Sequence, residues 1–196
     1  MDDNKKQIFT EESLMERKRF QRKVCLLGDG AVGKTSLIRK YVLDKFDDKY
    51  LPTIGTKVSR KEVVIPFQKE EVVVDLTMII WDIVGQKAYQ KLRRMYYQGA
   101  NGALVVCDVT RLETLESMKE WTKSLFQVTN HVPIMFLANK SDLIHKAEFK
   151  PEDLEDVASE YKSPFFFTSA KSGANVNRAF HRLGELMIYP NIKGKE

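Results

Sequence analysis

Residues 28–36 of this chain read GDGAVGKTS: Gly28, four residues, then Gly33, Lys34 and Thr35. A glycine-rich turn between a strand and a helix aims successive backbone N–H groups at one point. The helix N-terminus adds positive partial charge, so such a turn attracts an anion. Lys34 supplies a point charge suited to terminal phosphates, and Thr35 a hydroxyl suited to Mg²⁺. A second group of polar residues, NKSD at 139–142, directly follows the apolar run 134–138. Polar groups at the carboxyl end of a buried strand lie where open α/β sheets bind ligands. Asp142 can accept hydrogen bonds from guanine N1–H and the exocyclic amino group. Adenine offers an acceptor at the first position and nothing at the second, which would leave the carboxylate unpaired. Sites of that kind discriminate by ~10⁴-fold or more. Thr53, WDIVGQ at 81–86 and SAK at 169–171 complete a set of five segments. Each alone is a pattern match; in this order they outline one pocket with a phosphate end and a purine end.

The elements that must position these residues alternate along the chain. Residues 23–27 (KVCLL) read as a buried strand and 34–43 as a helix with Leu37, Ile38, Tyr41 and Val42 as its apolar stripe. Downstream, strands at 103–107, 134–138 and 165–168 are each followed by a helix, at 113–128, 151–161 and 174–189. Val176, Ala179, Phe180, Leu183 and Met187 recur at helical spacing in the last and mark a core face. Residues 58–66 and 72–80 are rich in β-branched side chains and are separated by 67–71, which predicts a long hairpin with a charged tip. The expected fold class is α/β: a mostly parallel six-stranded sheet with one antiparallel edge strand and helices on both faces.

Composition sets outer limits. The chain has 196 residues, 43% of them hydrophobic, enough for one domain with a single core. Its two cysteines, Cys25 and Cys107, fall in predicted strands and read as small buried hydrophobes in a reducing compartment. The net charge is +5, with basic runs at 17–23 and 87–94 that read as solvated faces. No aromatic-basic motif points to nucleic acid. His131, His145 and His181 lack metal-ligand spacing. Residues 1–21 read as a polar extension in which Ser13 and Glu16 form a capping box opening a short helix, with Leu14 and Phe20 apolar.

With the five segments in place, the chain resembles the Ras-type small GTPases, and within them the Rab branch. Residues 94–110 (RMYYQGANGALVVCDVT) are similar to that branch almost throughout. The likeness covers about 22–190, leaving 1–21 as the extension and 191–196 as a short tail. It implies a P-loop G domain, binding of GTP or GDP with Mg²⁺, and slow hydrolysis of GTP. The main chain of Gly30, Ala31, Val32, Gly33, Lys34, Thr35 and Ser36 would wrap the phosphates. Thr35 and Thr53 would give hydroxyls to Mg²⁺, with Asp82 holding the ion through a water. Gly85 would meet the γ-phosphate and Gln86 would orient the attacking water. Phe46 would stack on guanine, or else pack on the core as a helix-end hydrophobe. Asn139, Lys140, Asp142, Ser169, Ala170 and Lys171 would form the base pocket. Two segments, 47–56 and 84–97, would respond to the γ-phosphate. The resemblance also implies a monomer with protein effectors, an exchange factor and an activating protein. No arginine in cis stands out: Arg39 runs along the first helix, and Arg93 and Arg94 lie beyond Gln86.

The sequence departs from the family in four places. Ile83 and Val84 replace the usual Thr-Ala, and the β-branch of Val84 stiffens a segment that must move. This leaves open a nucleotide-binding scaffold with little hydrolysis; an ATP-using phosphotransferase is opposed by Asp142. Lys87 stands where an acidic residue is usual. The stretch from Thr53 to Asp82 is longer than the norm, which suits either a partner surface or a tolerated insertion. The last residues, NIKGKE, contain no prenylation cysteine, and position 2 is not the glycine of a myristoylation signal. Either the natural tail lies beyond this sequence or the protein does without a lipid anchor. The expected location is the cytoplasm, with peripheral membrane contact left open.

Overall fold

The computed structural model describes residues 15–47, 53, 55–85 and 90–193. Six strands form one sheet in the order β2-β3-β1-β4-β5-β6. These are β1 (Glu16–Leu27), β2 (Thr56–Phe67), β3 (Val72–Ile83), β4 (Gly102–Asp108), β5 (Ile134–Asn139) and β6 (Phe165–Phe167). Only the β2–β3 pair is antiparallel. Five helices flank the sheet: α1 (Lys34–Leu43), α2 (Gln90–Tyr97), α3 (Leu112–Phe126), α4 (Pro151–Glu160) and α5 (Val176–Ile192). The expected architecture is borne out, including the long hairpin, whose tip is a 3₁₀ turn at Gln68–Glu70.

Strand β4 is buried along its whole length, as its unbroken apolar sequence requires between two helical layers. Alternate residues of the central strands feed two cores. Val24, Leu26, Leu104 and Val106 pack with Leu37, Tyr41, Phe180 and Leu183 of α1 and α5. Cys25, Leu27, Val105 and Phe136 pack with Leu115, Met118, Trp121 and Leu154 of α3 and α4. The rings of Tyr41 and Phe180 stack at 4.0 Å, joining α1 to α5. Both cysteines are buried, and burial pushes the Cys25 thiol up to about 12, so neither is a ready nucleophile.

The first strand corrects one expectation. Glu16–Gln21 is not the start of a helix but the first half of β1, running parallel to β3 in register from Glu16 opposite Val72 to Leu26 opposite Asp82. Ser13 and Leu14 lie outside the described residues. The cause is tertiary: the long hairpin offers β3 as a template well past the core. Phe20, Val63 and Phe67 then pack on the first core. A bidentate pair from Arg17 to Asp75, at 2.8 and 2.6 Å, ties the outer ends together. The last helix is lengthened to match. It runs through Pro190 to Ile192, which is buried, while Arg22 donates to Asn191 Oδ1 at 2.7 Å. Gly184 lets α5 approach this part of the sheet; a Cβ there would lie 2.8 Å from both Ile65 and Met78.

Candidate functional site

The carboxyl ends of β1, β3, β4 and β5 converge on one edge of the sheet, where the polar residues of the five segments collect. The turn after β1 needs glycine for two reasons. Gly28 has φ +134° and a Cβ there would lie 2.1 Å from the Val106 carbonyl oxygen. Gly33 has φ +97° and its missing Cβ leaves room for the Asn139 amide, which a Cβ would meet at 2.3 Å. Lys34 opens α1, is buried, and donates from Nζ to the carbonyls of Gly28 and Asp29 at 2.7 Å each. Its charge is thereby held inside the turn.

At the metal end, Thr35 Oγ1 donates to Asp82 Oδ2 at 2.5 Å and lies 3.1 Å from Thr53 Oγ1. Asp82 is 1% exposed, and among the described residues its other oxygen, Oδ1, has no hydrogen-bond partner. Burial pushes its carboxyl above the usual range, against the pull of the Thr35 hydrogen bond and the Lys34 charge. Two hydroxyls beside a carboxylate with an orphaned buried oxygen form the hard oxygen donor set that Mg²⁺ takes. Gly85 sits against the phosphate turn: a Cβ there would be 2.5 Å from the Asp29 carbonyl. Val84 is buried beside it. Gln86 and Lys87 lie outside the described residues, as do residues 48–52 and 54 of the first switch segment.

At the base end the side chains hold one another. Asn139, 1% exposed, donates to the Val32 carbonyl at 2.9 Å and accepts from the Ala170 N–H at 3.3 Å. One side chain thus joins the phosphate turn, the NKSD turn and the SAK turn. Lys140 adopts a left-handed φ of 65° and its Nζ donates to Asp108 Oδ2 at 2.5 Å. Ser169, fully buried, donates to Asp142 Oδ1 at 2.5 Å and fixes the carboxylate. Ala170 is buried, while Lys171 is exposed at the rim. Phe46 belongs to neither core and is 37% exposed, so the packing alternative fails and its ring stands at the surface.

Sequence reasoning missed three residues. Asp108 ends β4 and binds Lys140, Thr110 and Arg111; Arg111 reaches the Gly30 carbonyl; Trp121 donates to Asp29 Oδ1 at 2.9 Å. Asp108 could have been flagged, because it sits at the carboxyl end of a central strand beside the ligand edge. Among the described residues, Arg111 is the arginine whose guanidinium contacts the phosphate turn.

A model of the Ras family matches residues 23–189, which span every element of this site. The chain belongs to the Ras family. Within it the chain is similar to "Ras-related protein Rab-22A" of Canis lupus familiaris, 39% identical over 159 residues covering 81% of this chain and 79% of the relative. It is 41% identical to "GTP-binding protein ypt5" of Schizosaccharomyces pombe over 163 residues, 82% of this chain and 75% of that one. To "Ypt/Rab-type GTPase YPT7" of Saccharomyces cerevisiae it is 34% identical over 185 residues, 91% and 86% of the two chains. It is therefore a Rab-like small GTPase, a class of molecular switch that binds GTP and GDP with Mg²⁺ and meets regulators and effectors. Among the described residues no helix is long and apolar enough to cross a membrane.

Proposed function

We propose that this GTPase reads guanine through Asp142 and grips the phosphates through the turn at 30–36, with hydrolysis limited by the chain itself and raised by a partner. The observation that carries this reading is the Asn139 side chain, which links the phosphate turn to both base-end turns and so makes one pocket of separate motifs. Asp142, already oriented by Ser169, presents its remaining acceptor capacity to the two donors on the guanine edge. Phe46, whose ring stands at the surface, would stack on the base. Lys34 carries positive charge to the β- and γ-phosphates, exchanging its two carbonyl partners for phosphate oxygens. Thr35, Thr53 and Asp82 would hold Mg²⁺, which would supply charge neutralisation to the phosphates. Gly85 offers its N–H to the γ-phosphate because nothing larger fits against Asp29, and Gln86 orients the attacking water.

Catalysis of this kind is positioning and charge neutralisation with no covalent role for the protein. Intrinsic turnover is slow, and an activating protein supplies the missing positive charge. The protein acts as a monomer in the cytoplasm, with peripheral membrane contact left open. The activity belongs to the single domain whose sheet and helices contain residues 22–190. A single-turnover assay tests the reading: GTP-loaded protein in Mg²⁺ should release phosphate over many minutes, and Gln86→Leu should slow that release further. Fast unaided release, or a rate indifferent to the Gln86 change, would overturn it.

A further inference from the structure

Arg111 immediately precedes α3 and belongs to none of the five motif segments. Its guanidinium spans two acceptors: Nε donates to Asp108 Oδ2 at 3.2 Å, and a terminal nitrogen donates to the Gly30 carbonyl oxygen at 2.9 Å. Asp108 is buried, and the same Oδ2 also accepts from Lys140 Nζ at 2.5 Å. Its Oδ1 accepts from the Thr110 N–H and hydroxyl at 3.0 and 2.8 Å. A carboxylate so fully engaged fixes the plane of the guanidinium, and charge-assisted bonds of this kind are the strong ones.

The contacted carbonyl belongs to the peptide between Gly30 and Ala31. Every peptide described is trans, so the Gly30 carbonyl and the Ala31 N–H lie in one plane and point in opposite directions. Ala31 itself has φ 63°, a left-handed value that a residue with a Cβ holds only under constraint. A cation on the carbonyl oxygen supplies such a constraint. It also draws electron density from the amide nitrogen and strengthens the opposite N–H as a donor.

We propose that Arg111 is a positioning residue for the phosphates: it fixes and polarises the Gly30–Ala31 peptide so that the Ala31 N–H grips the β- and γ-phosphate oxygens. Asp108, shared with Lys140, couples that grip to the base-reading turn. The inference rests on the assignment of residues 30–36 to the phosphates. It differs from a transition-state arginine, because the guanidinium acts through the backbone and works on GDP as well as GTP.

The test compares Arg111→Ala, Arg111→Lys and wild type in four readouts: release of fluorescent GDP, release of a fluorescent non-hydrolysable GTP analogue, competition by GMP, and urea unfolding. Arg111→Ala should speed release of the di- and triphosphate forms roughly tenfold, the worth of one charge-assisted hydrogen bond. GMP competition should change less than about twofold, since GMP lacks the gripped phosphates. Arg111→Lys should recover part of the loss. Equal weakening of GMP and GDP would show a structural role and overturn the proposal, as would unchanged release. If Arg111→Ala unfolds, Arg111→Gln, which is shorter and uncharged but keeps an amide donor, carries the same comparison; its unfolding too would overturn the proposal in favour of a structural role. Wild type that fails to prefer GDP over ADP would refute the pocket assignment itself, a separate outcome.

Discussion

Asn139, Lys140, Asp142 and Ser169 at the base end meet one another or the ends of neighbouring strands, with donor–acceptor distances of 2.5 to 3.3 Å. Thr35, Thr53 and Asp82 at the metal end also meet one another, but Asp82 Oδ1 is buried with no partner among the described residues. The first arrangement is hydrogen-bonded without ligand and, in the function proposed above, acts as a preformed sieve whose remaining lone pairs await a matching purine edge. The second is under-satisfied, and burying an unpaired carboxylate oxygen is costly until a cation arrives. A switch needs both kinds of region. A rigid half keeps the nucleotide identity constant, while a half completed by its ligand lets GTP and GDP differ in effect.

Changes that damage the sieve should be the largest. Asp142→Asn exchanges an acceptor for an amide facing guanine donors. GDP affinity should fall by ~10³–10⁴-fold in equilibrium competition, with the preference over ADP largely erased. At the metal end, Asp82→Asn should leave folding intact, because it relieves a desolvated charge, yet weaken Mg²⁺ by roughly 10–100-fold. The check is GDP release with and without chelator, which should differ strongly in wild type and little in the variant. Asn139→Ala should cost about 2 kcal/mol in urea unfolding, because it leaves the Val32 carbonyl and the Ala170 N–H buried without partners. Val84→Ala removes a buried branched side chain next to Gly85. Single-turnover hydrolysis should rise about threefold, less than 1 kcal/mol of barrier; equal rates would remove Val84 as a brake.

The smallest effect concerns Asp108. Burial works to raise its carboxyl, but hydrogen bonds from Lys140 and Thr110 outweigh that and hold it below the usual carboxylate range. A folded value below the unfolded one stabilises the protein fully above the ordinary carboxylate pKa of about 4 and is lost as pH falls through the folded value. Asp108→Asn should therefore flatten the acid limb of stability below about pH 4 and reduce stability at neutral pH, read as urea midpoints against pH.

Much of the fold and most of the site were legible in the sequence because the relevant signals are local. A strand, a glycine turn and Lys-Thr specify their own geometry, and NKSD after an apolar run marks the end of a buried strand. Strand β4 could be placed from its apolar run alone. The first half of β1 could not: RKRFQRK is charged at most positions, and only the template provided by the long hairpin makes it a strand. Arg111 was illegible for a related reason. Its partners are the Gly30 carbonyl, 81 positions away, and a carboxylate three positions before it, and no spacing rule links the three. The roles proposed for Phe46 and Asp142 toward a base come from residue type, whereas the hydrogen bond that orients Asp142 needs the approach of two loops.

The central claim is that one carboxylate selects the purine of a nucleotide held by the turn after β1. Its most direct test is displacement of labelled GDP from the wild-type protein in Mg²⁺ by unlabelled GDP and by ADP. GDP should displace the label at near-stoichiometric concentration, and ADP should fail even at ~10⁴-fold excess. Comparable displacement by ADP would contradict the account.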